Sequence, residues 1–329
     1  MQRTHTARRG MTLVELLAVV AIMVILMSLA IQIMRPGLKD RKLREASRQV
    51  NTFFALAKAK AAETGRPHGV AILNTGNAAS FQLFLAEMPT IFAGGSYAGT
   101  DSVAILPDSG NGFAQTVSFQ DPFSLVQDGD LIRFDFKGPL YRLEFPRDGM
   151  GLLIEPRPPN LPIVPLDFTN ARYPLASATG VRFQVHRQPR ASTHNSVTLP
   201  TGTVIDLAMS GFGETGIQLN GTPEGKHAFI MFTPSGAVDY SFAPPAMRNA
   251  RATIHLLVGR IEKATGLELD PNQQNLADPT AQWVSIGDLT GTVTTAENVV
   301  PGNFSSLTAA GKLAQARAIA QSKQTMGGR

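Results

Sequence analysis

Between Met11 and Met34 the chain runs through 24 predominantly apolar residues, and from Leu16 to Ile33 its only polar side chains are Ser28 and Gln32. Wound as a helix, the run is about 36 Å long at ~1.5 Å per residue. That length crosses a hydrocarbon layer of about 30 Å with some tilt. A single acid, Glu15, lies near its start, and a basic leader with Arg3, Arg8 and Arg9 precedes it, ending in Gly10. A carboxylate so close to hydrocarbon is costly, so it needs a specific purpose.

Three readings compete for this segment. As a secretory signal peptide it would end at the small residues Ser28-Leu29-Ala30. An acid at the head of the apolar region argues against that, because it would serve nothing in a discarded peptide. As a plain single-span anchor it would leave Glu15 snorkelling at the lipid interface. The third reading rests on Arg8-Arg9-Gly10-Met11-Thr12-Leu13-Val14-Glu15-Leu16-Leu17. This stretch resembles the processing site of the type IV prepilin family, which includes type IV pilins and the pseudopilins of type II secretion. Many members carry Phe where this chain has Met11.

The resemblance implies a dedicated prepilin peptidase that cuts after Gly10 on the cytoplasmic side and methylates the new amino terminus at Met11. Gly10 has no side chain to keep a protease's carboxylates from the backbone. Glu15 becomes fifth in the mature chain and serves assembly: in a packed helical bundle it can pair with the amine of a neighbouring subunit. Breaking a buried pair of that kind costs about 3–5 kcal/mol, enough to help select an axial register. The resemblance also implies a membrane-inserted precursor, other pseudopilins or pilins as homo- or hetero-oligomeric partners, and an inner-membrane platform of the secretion system.

Lys39, Arg41, Lys42 and Arg44 follow the apolar run, so a simple count of basic residues would place the C-terminal side in the cytoplasm. Asp40 and Glu45 dilute that cluster, and long domains translocate largely regardless of charge. Cytoplasmic processing also requires the leader inside. The expected topology is a single pass of the inner (cytoplasmic) membrane, with the leader cytoplasmic and the C-terminal head periplasmic.

Arg35-Pro36-Gly37 predicts an interruption or kink, since proline removes a helical donor. An amphipathic extension follows over 35–65. Leu43, Ala46, Val50, Phe53 and Ala57 recur at spacings of three and four, with Gly65 as C-cap and Pro67 barring continuation. The narrow stripe suits packing on a sheet. The segment 46–70, with Phe53-Phe54-Ala55-Leu56-Ala57 and Gly65-Arg66-Pro67, more loosely resembles the H-type, or FimT-like, minor pseudopilins.

Beyond His68, short alternating stretches between turn residues predict strands at Gly69–Leu73, Ser80–Leu85, Leu131–Phe136, Tyr141–Phe145, Gly151–Glu155, Val181–Arg187, Thr203–Leu207, Ala228–Thr233 and Val238–Tyr240. Pro156–Pro165 reads as an extended connection. Thr233-Pro234-Ser235-Gly236 predicts a hairpin turn. Residues 266–301 read as peripheral structure packed on a β-rich head spanning 66–301. The basic tail, 302–329, holds too few large apolar residues for firm docking, so partial disorder is expected.

The formal charge of +5 is concentrated at the ends: +3 falls on residues 1–10 and +4 on 302–329, leaving −2 for 11–301. A nucleic-acid binder carries its basic residues on a folded surface, so DNA or RNA is not an expected partner. Cysteine is absent, which excludes disulfides and thiolate metal sites.

Gly211-Phe212-Gly213-Glu214-Thr215-Gly216 spells G-x-G-x-x-G, but Ile217-Gln218-Leu219 followed by Asn220-Gly221 predicts a strand and turn where a dinucleotide site needs a helix. His186 and His194 lie eight apart, a poor spacing for a shared metal. Asp206 and Glu214 are weak calcium candidates without a dense acidic loop. Ser210 and Ser235 fit turns, not a nucleophile elbow.

The chain is therefore expected to be α+β: a long N-terminal helix, membrane-spanning in its first half and kinked near Pro36, packed on a β-rich pilin-like head. Its expected role is a structural subunit of a type II secretion pseudopilus, with no enzymatic activity, cofactor or metal. The alternatives are a minor pilin of a type IV pilus, or a single-span anchored exported binding protein with no filament role.

Overall fold

The computed structural model describes residues 13–94, 103–107, 115–119, 126, 129–134, 136, 140–144, 150–154, 182–214, 218–243, 246–248, 252–264, 274–300 and 307–326, with the side chains of 29–38 among those left aside. Gly10, Met11 and Pro156–Pro165 lie outside these residues.

One helix, α1 (Leu13–Thr64), runs unbroken for 52 residues, about 78 Å at ~1.5 Å per residue. The expected interruption at Arg35-Pro36-Gly37 does not occur. Proline removes one donor, and helix propagation on both sides carries the backbone through it. The helix stops where expected: Gly65 takes φ +65°, a left-handed conformation that favours glycine.

The second half of α1 packs by its narrow face. Leu43, Ala46, Val50, Phe54, Ala57 and Ala61 are all buried, at successive spacings of three and four. Phe54 replaces Phe53 on the expected stripe. At 3.6 residues per turn Phe54 stays near the stripe's centre, whereas Phe53 drifts to its border and is only partly buried. Three alanines in the stripe let the helix axis approach the strands closely.

Three antiparallel sheets are present among the described residues. The first runs β11 (Arg190–Thr198), β3 (Gln82–Glu87), β1 (His68–Leu73), β13 (His227–Phe232), β14 (Val238–Ala243) and β15 (Ala246–Arg248). The second runs β18 (Val293–Glu297), β17 (Gln282–Ile286), β16 (Ile254–Arg260), β12 (Thr203–Phe212) and β2 (Ala79–Ser80). The third runs β4 (Phe92–Gly94), β10 (Phe183–His186), β7 (Leu131–Phe134), β8 (Tyr141–Glu144), β9 (Met150–Ile154), β6 (Gln115–Phe119) and β5 (Val103–Pro107).

The first two sheets share one core around α1. Val70, Ile72, Ile230 and Phe232 of the first sheet join Leu256, Val258, Val284 and Ile286 of the second around the α1 stripe. Phe54 meets the Phe232 ring edge-on, with centroids 6.3 Å apart. Successive strand residues point to opposite faces, so Leu257 and Trp283 face away from α1. They pack instead with Leu313, Ala316 and Ala320 of a second helix, α2 (Ala309–Met326).

Two expectations are corrected here. Of residues 266–301, the described part, 274–300, is not peripheral: β17 lies inside the second sheet, and Trp283 is buried with its Nε1 donating to Asn298 Oδ1 at 2.9 Å. Within the tail, Ala309–Met326 forms α2 on the second sheet. Small residues there pack closely on the sheet, and the buried Arg317 donates to Met209 O at 2.8 Å and Gly213 O at 3.1 Å. Few large side chains are needed when a charged one supplies specific bonds.

The expected hairpin between β13 and β14 is present. Thr233 N donates to Ala237 O at 2.8 Å, and Gly236 takes φ +90°.

Candidate functional site

The first half of α1 stands apart from this core. From Leu13 to Met27 its large apolar side chains are all solvent-exposed, from 79% at Leu13 to no less than 45% at Val19. They surround the helix and form no single stripe. A helix apolar all round belongs in a protein core or a membrane. Among the described residues, no helix is long and apolar enough to cross a membrane; the described side chains of the apolar run end at Ser28. Glu15 lies in the first turn of α1, where the positive end of the helix dipole favours an acid.

Ionic contacts fasten the helix where it enters the head. Lys39 Nζ donates to Glu262 Oε1 at 3.0 Å, and Arg260 Nη2 donates to Asp40 Oδ1 at 3.0 Å. Arg260 also reaches Asp278, which Lys263 contacts at 2.8 Å. Burial raises the Asp278 pKa, but hydrogen bonds from Lys263 and Thr280 outweigh it and hold the carboxyl below its ordinary value. Of Lys39, Arg41, Lys42 and Arg44, the cluster that complicated the topology count, Lys39 pairs with Glu262 and Arg44 approaches Glu297 at 3.8 Å.

Residues 5–31 match the family described as the prokaryotic N-terminal methylation motif. The chain carries a type IV pilin-like prepilin signal. The matched span encloses Gly10, Met11 and Glu15 and ends within the apolar run. The prepilin signal indicates a type IV pilin-like protein processed by prepilin peptidase, and implies assembly with other pilins. No curated protein and no solved structure matches the chain.

The other candidate groups lie far along the chain from the prepilin signal. Gly211 and Phe212 end β12, Gly213 turns at φ +61°, and Gln218 bridges back to Gly211. Over Gly211–Glu214 the glycine-rich stretch is thus strand and turn; residues 215–217 lie outside the described residues, and a single 3-10 turn follows at Leu219–Gly221. Among the described residues, no group of three His, Asp or Glu side chains is placed to hold a metal. His194 is exposed on β11, and its Nδ1 lies 3.2 Å from Thr193 Oγ1. His186 ends β10 and is partly buried.

Asp206 is a structural acid. It sits at a β-bulge where the β12–β16 register shifts, and its Oδ1 accepts from Ala208 N and Met209 N at 3.1 and 3.2 Å. Asn275 Nδ2 donates to its Oδ2 at 3.0 Å, and Asn275 Oδ1 accepts from Arg260 N at 2.7 Å. A Cβ at Gly259 would collide with the Asn275 side chain, so this glycine makes room for the bond. Ser210, read as a turn residue, donates to Asp206 O inside the same bulge and accepts from Leu257 N.

Burial pushes the Asp206 carboxyl up to about 6, against the hydrogen bonds from Asn275, Met209 and Ala208. His255 moves the other way: burial, then the Arg317 charge, depress it to about 4. Between roughly pH 4 and 6 the folded chain holds Asp206 protons that the unfolded chain lacks, so this acid stabilises toward low pH. His255 is neutral when folded and protonated when unfolded below its ordinary 6.5, so it destabilises as pH falls toward 4. The two slopes oppose each other. Asp206→Asn is expected to leave the His255 slope uncompensated, so melting temperature should fall more steeply between pH 6 and 4 than in the parent chain. An unchanged slope would remove Asp206 from the account.

Arg317, Asn275 and Asp206 as a linked set escaped sequence reasoning. The only available signal was a basic residue inside an alanine-rich helical pattern, which also fits a solvated face.

Proposed function

We propose that the chain is a structural subunit of a type II secretion pseudopilus, of the H-type or FimT-like minor group, and that it acts by assembly with no catalytic step of its own. Prepilin peptidase cuts after Gly10 and methylates Met11. The precursor crosses the inner membrane once through the apolar half of α1, with its leader in the cytoplasm and its head in the periplasm. Extraction into a filament, driven by the platform of the secretion system, then packs that half against neighbouring subunits, where Glu15 pairs with a neighbour's amine.

The match of residues 5–31 to the methylation motif carries this reading. It is supported by the division of α1 into an all-round apolar half outside the head and a striped half inside it. A bundle of such helices would bury the first half without disturbing the second.

The mature amino terminus tests the proposal. Mass spectrometry of the full chain, expressed with its peptidase, should find N-methyl-Met11. Gly10→Val should remain uncut, because the added side chain blocks approach to the scissile bond. A start after Ala30 would indicate a signal peptide, and an intact leader would indicate a plain anchor. Co-purification with secretion-system subunits or with pilus subunits separates the two kinds of filament.

A further inference from the structure

α2 closes the outer face of the second sheet with little apolar surface. Leu313, Ala316 and Ala320 are the apolar side chains that it buries there. The rest of its hold is polar: Arg317 is fully buried and donates to Met209 O and Gly213 O. Elements with few buried apolar contacts are the ones that open locally, below the free energy of global unfolding. The first-sheet core around α1 has no such weakness, since it joins two sheets through a continuous apolar stripe.

The interface under α2 also holds a titratable group. His255 of β16 is fully buried, with Nδ1 2.9 Å from Ser285 Oγ and its ring edge-on to Trp283 at 6.2 Å. It shares with Leu257, two residues on, the face that α2 covers. The charges of α2 are Lys312, Arg317 and Lys323, with no acid among them. Lys323 Nζ turns to Glu297 O at 3.4 Å, whereas the Arg317 charge acts on His255. The neighbouring strands set Gly211 and Ser285 opposite His255, both uncharged. Asp206 opposes Leu257, but its hydrogen bonds come from Ala208, Met209 and Asn275 and none comes from α2. A proton on His255 would therefore meet only cations from the helix above it.

We propose that α2 is an acid-released latch: protonation of His255 drives α2 off the second sheet while the sheets beneath stay folded. Docked, His255 is held down to about 4 by burial and then by Arg317; released, it returns to its ordinary 6.5. Docking is thus at full strength above about 6.5 and weakens as pH falls toward 4. From about pH 7 to pH 5 the weakening is roughly twentyfold. Global unfolding does not share this slope, because there the raised Asp206 opposes His255. Release of α2 leaves the Asp206 hydrogen bonds in place, so the local step responds to His255 alone.

Hydrogen exchange of the full chain in detergent, read by mass spectrometry and corrected for intrinsic rate, tests the latch. Protection of the α2 amides should fall about twentyfold between pH 7 and pH 5, while β1 and β13 keep theirs. His255→Gln should flatten the α2 response to within about threefold, and Asp206→Asn should leave it as in the parent chain. Three results overturn the proposal: α2 protection that does not fall, a fall shared by β1 and β13, or an undiminished fall in His255→Gln. A fall altered by Asp206→Asn also overturns it, since release would then reach beyond α2. The comparison of α2 with β1 and β13 in the parent chain decides the matter even if a variant fails to fold. The outcome is independent of the prepilin reading, which the mature amino terminus tests separately.

Discussion

Glu15→Leu is expected to leave membrane insertion and cleavage intact and to abolish incorporation into a filament. The carboxylate sits in the first turn of α1, within the span that matches the methylation motif. Removing it makes the helix more apolar, so insertion into lipid cannot suffer. In an assembled bundle the same change leaves a neighbour's amine without its countercharge in a low-dielectric setting, a loss of about 3–5 kcal/mol per contact. Glu15→Asp should recover assembly in part, since the charge is kept and only the reach shortens. The measurement is recovery of the chain in sheared filament fractions against its level in membranes. Normal filament yield from Glu15→Leu would return this acid to an interfacial role.

Phe54→Ala is expected to cost about 3–5 kcal/mol, the range for an aromatic side chain removed from a close-packed core. Phe54 is fully buried on the face that joins the first two sheets. Its ring meets Phe232 of the first sheet edge-on, so truncation leaves a cavity in the shared core. Phe53→Ala should cost well under half as much, because Phe53 is only partly buried. Denaturant midpoints of the full chain in detergent, compared at equal slope, provide the reading. Equal costs at the two positions would mean that α1 does not act as the shared spine of the sheets.

The sequence was most legible where one local rule governed. The α1 stripe followed helical spacing, Gly65 ended the helix, and β1, β7, β8, β9, β10, β13 and β14 lie within a few residues of their expected places. Phe53 and Phe54 were confused because both fit a three-or-four spacing over one turn. β16 escaped because Ile254-His255-Leu256-Leu257-Val258 is buried on both faces and shows no alternation. β11 escaped for the opposite reason, as its side chains are mostly polar and exposed at a sheet edge. The single predicted strand over Ser80–Leu85 divides between two sheets at Phe81, since Ala79–Ser80 pairs with β12 and Gln82–Glu87 with β1. The break depends on β12, more than a hundred residues away along the chain.

For the candidate site, the prepilin signal was legible because a processing motif is a short linear stretch, and residues 5–31 match it. The network of Asp206, Asn275, Arg260 and Asp40 was not, because its members come from four separate segments and none is unusual alone. α2 was missed because alanine contributes little to a hydrophobic count yet packs well wherever a sheet can receive it.

The placement of α2 has a consequence for the order of synthesis. Ala309–Met326 is made after every strand that it covers, so Met209, Leu257 and Trp283 remain bare on that face while the rest of the head is being translated. Under the proposed topology their burial waits until the last helix has also been threaded across the membrane, and the exported portion stays incompletely closed until then, a state that exposes sticky surface. The head thus gains its closure late, from residues that the ribosome delivers after the sheet they complete.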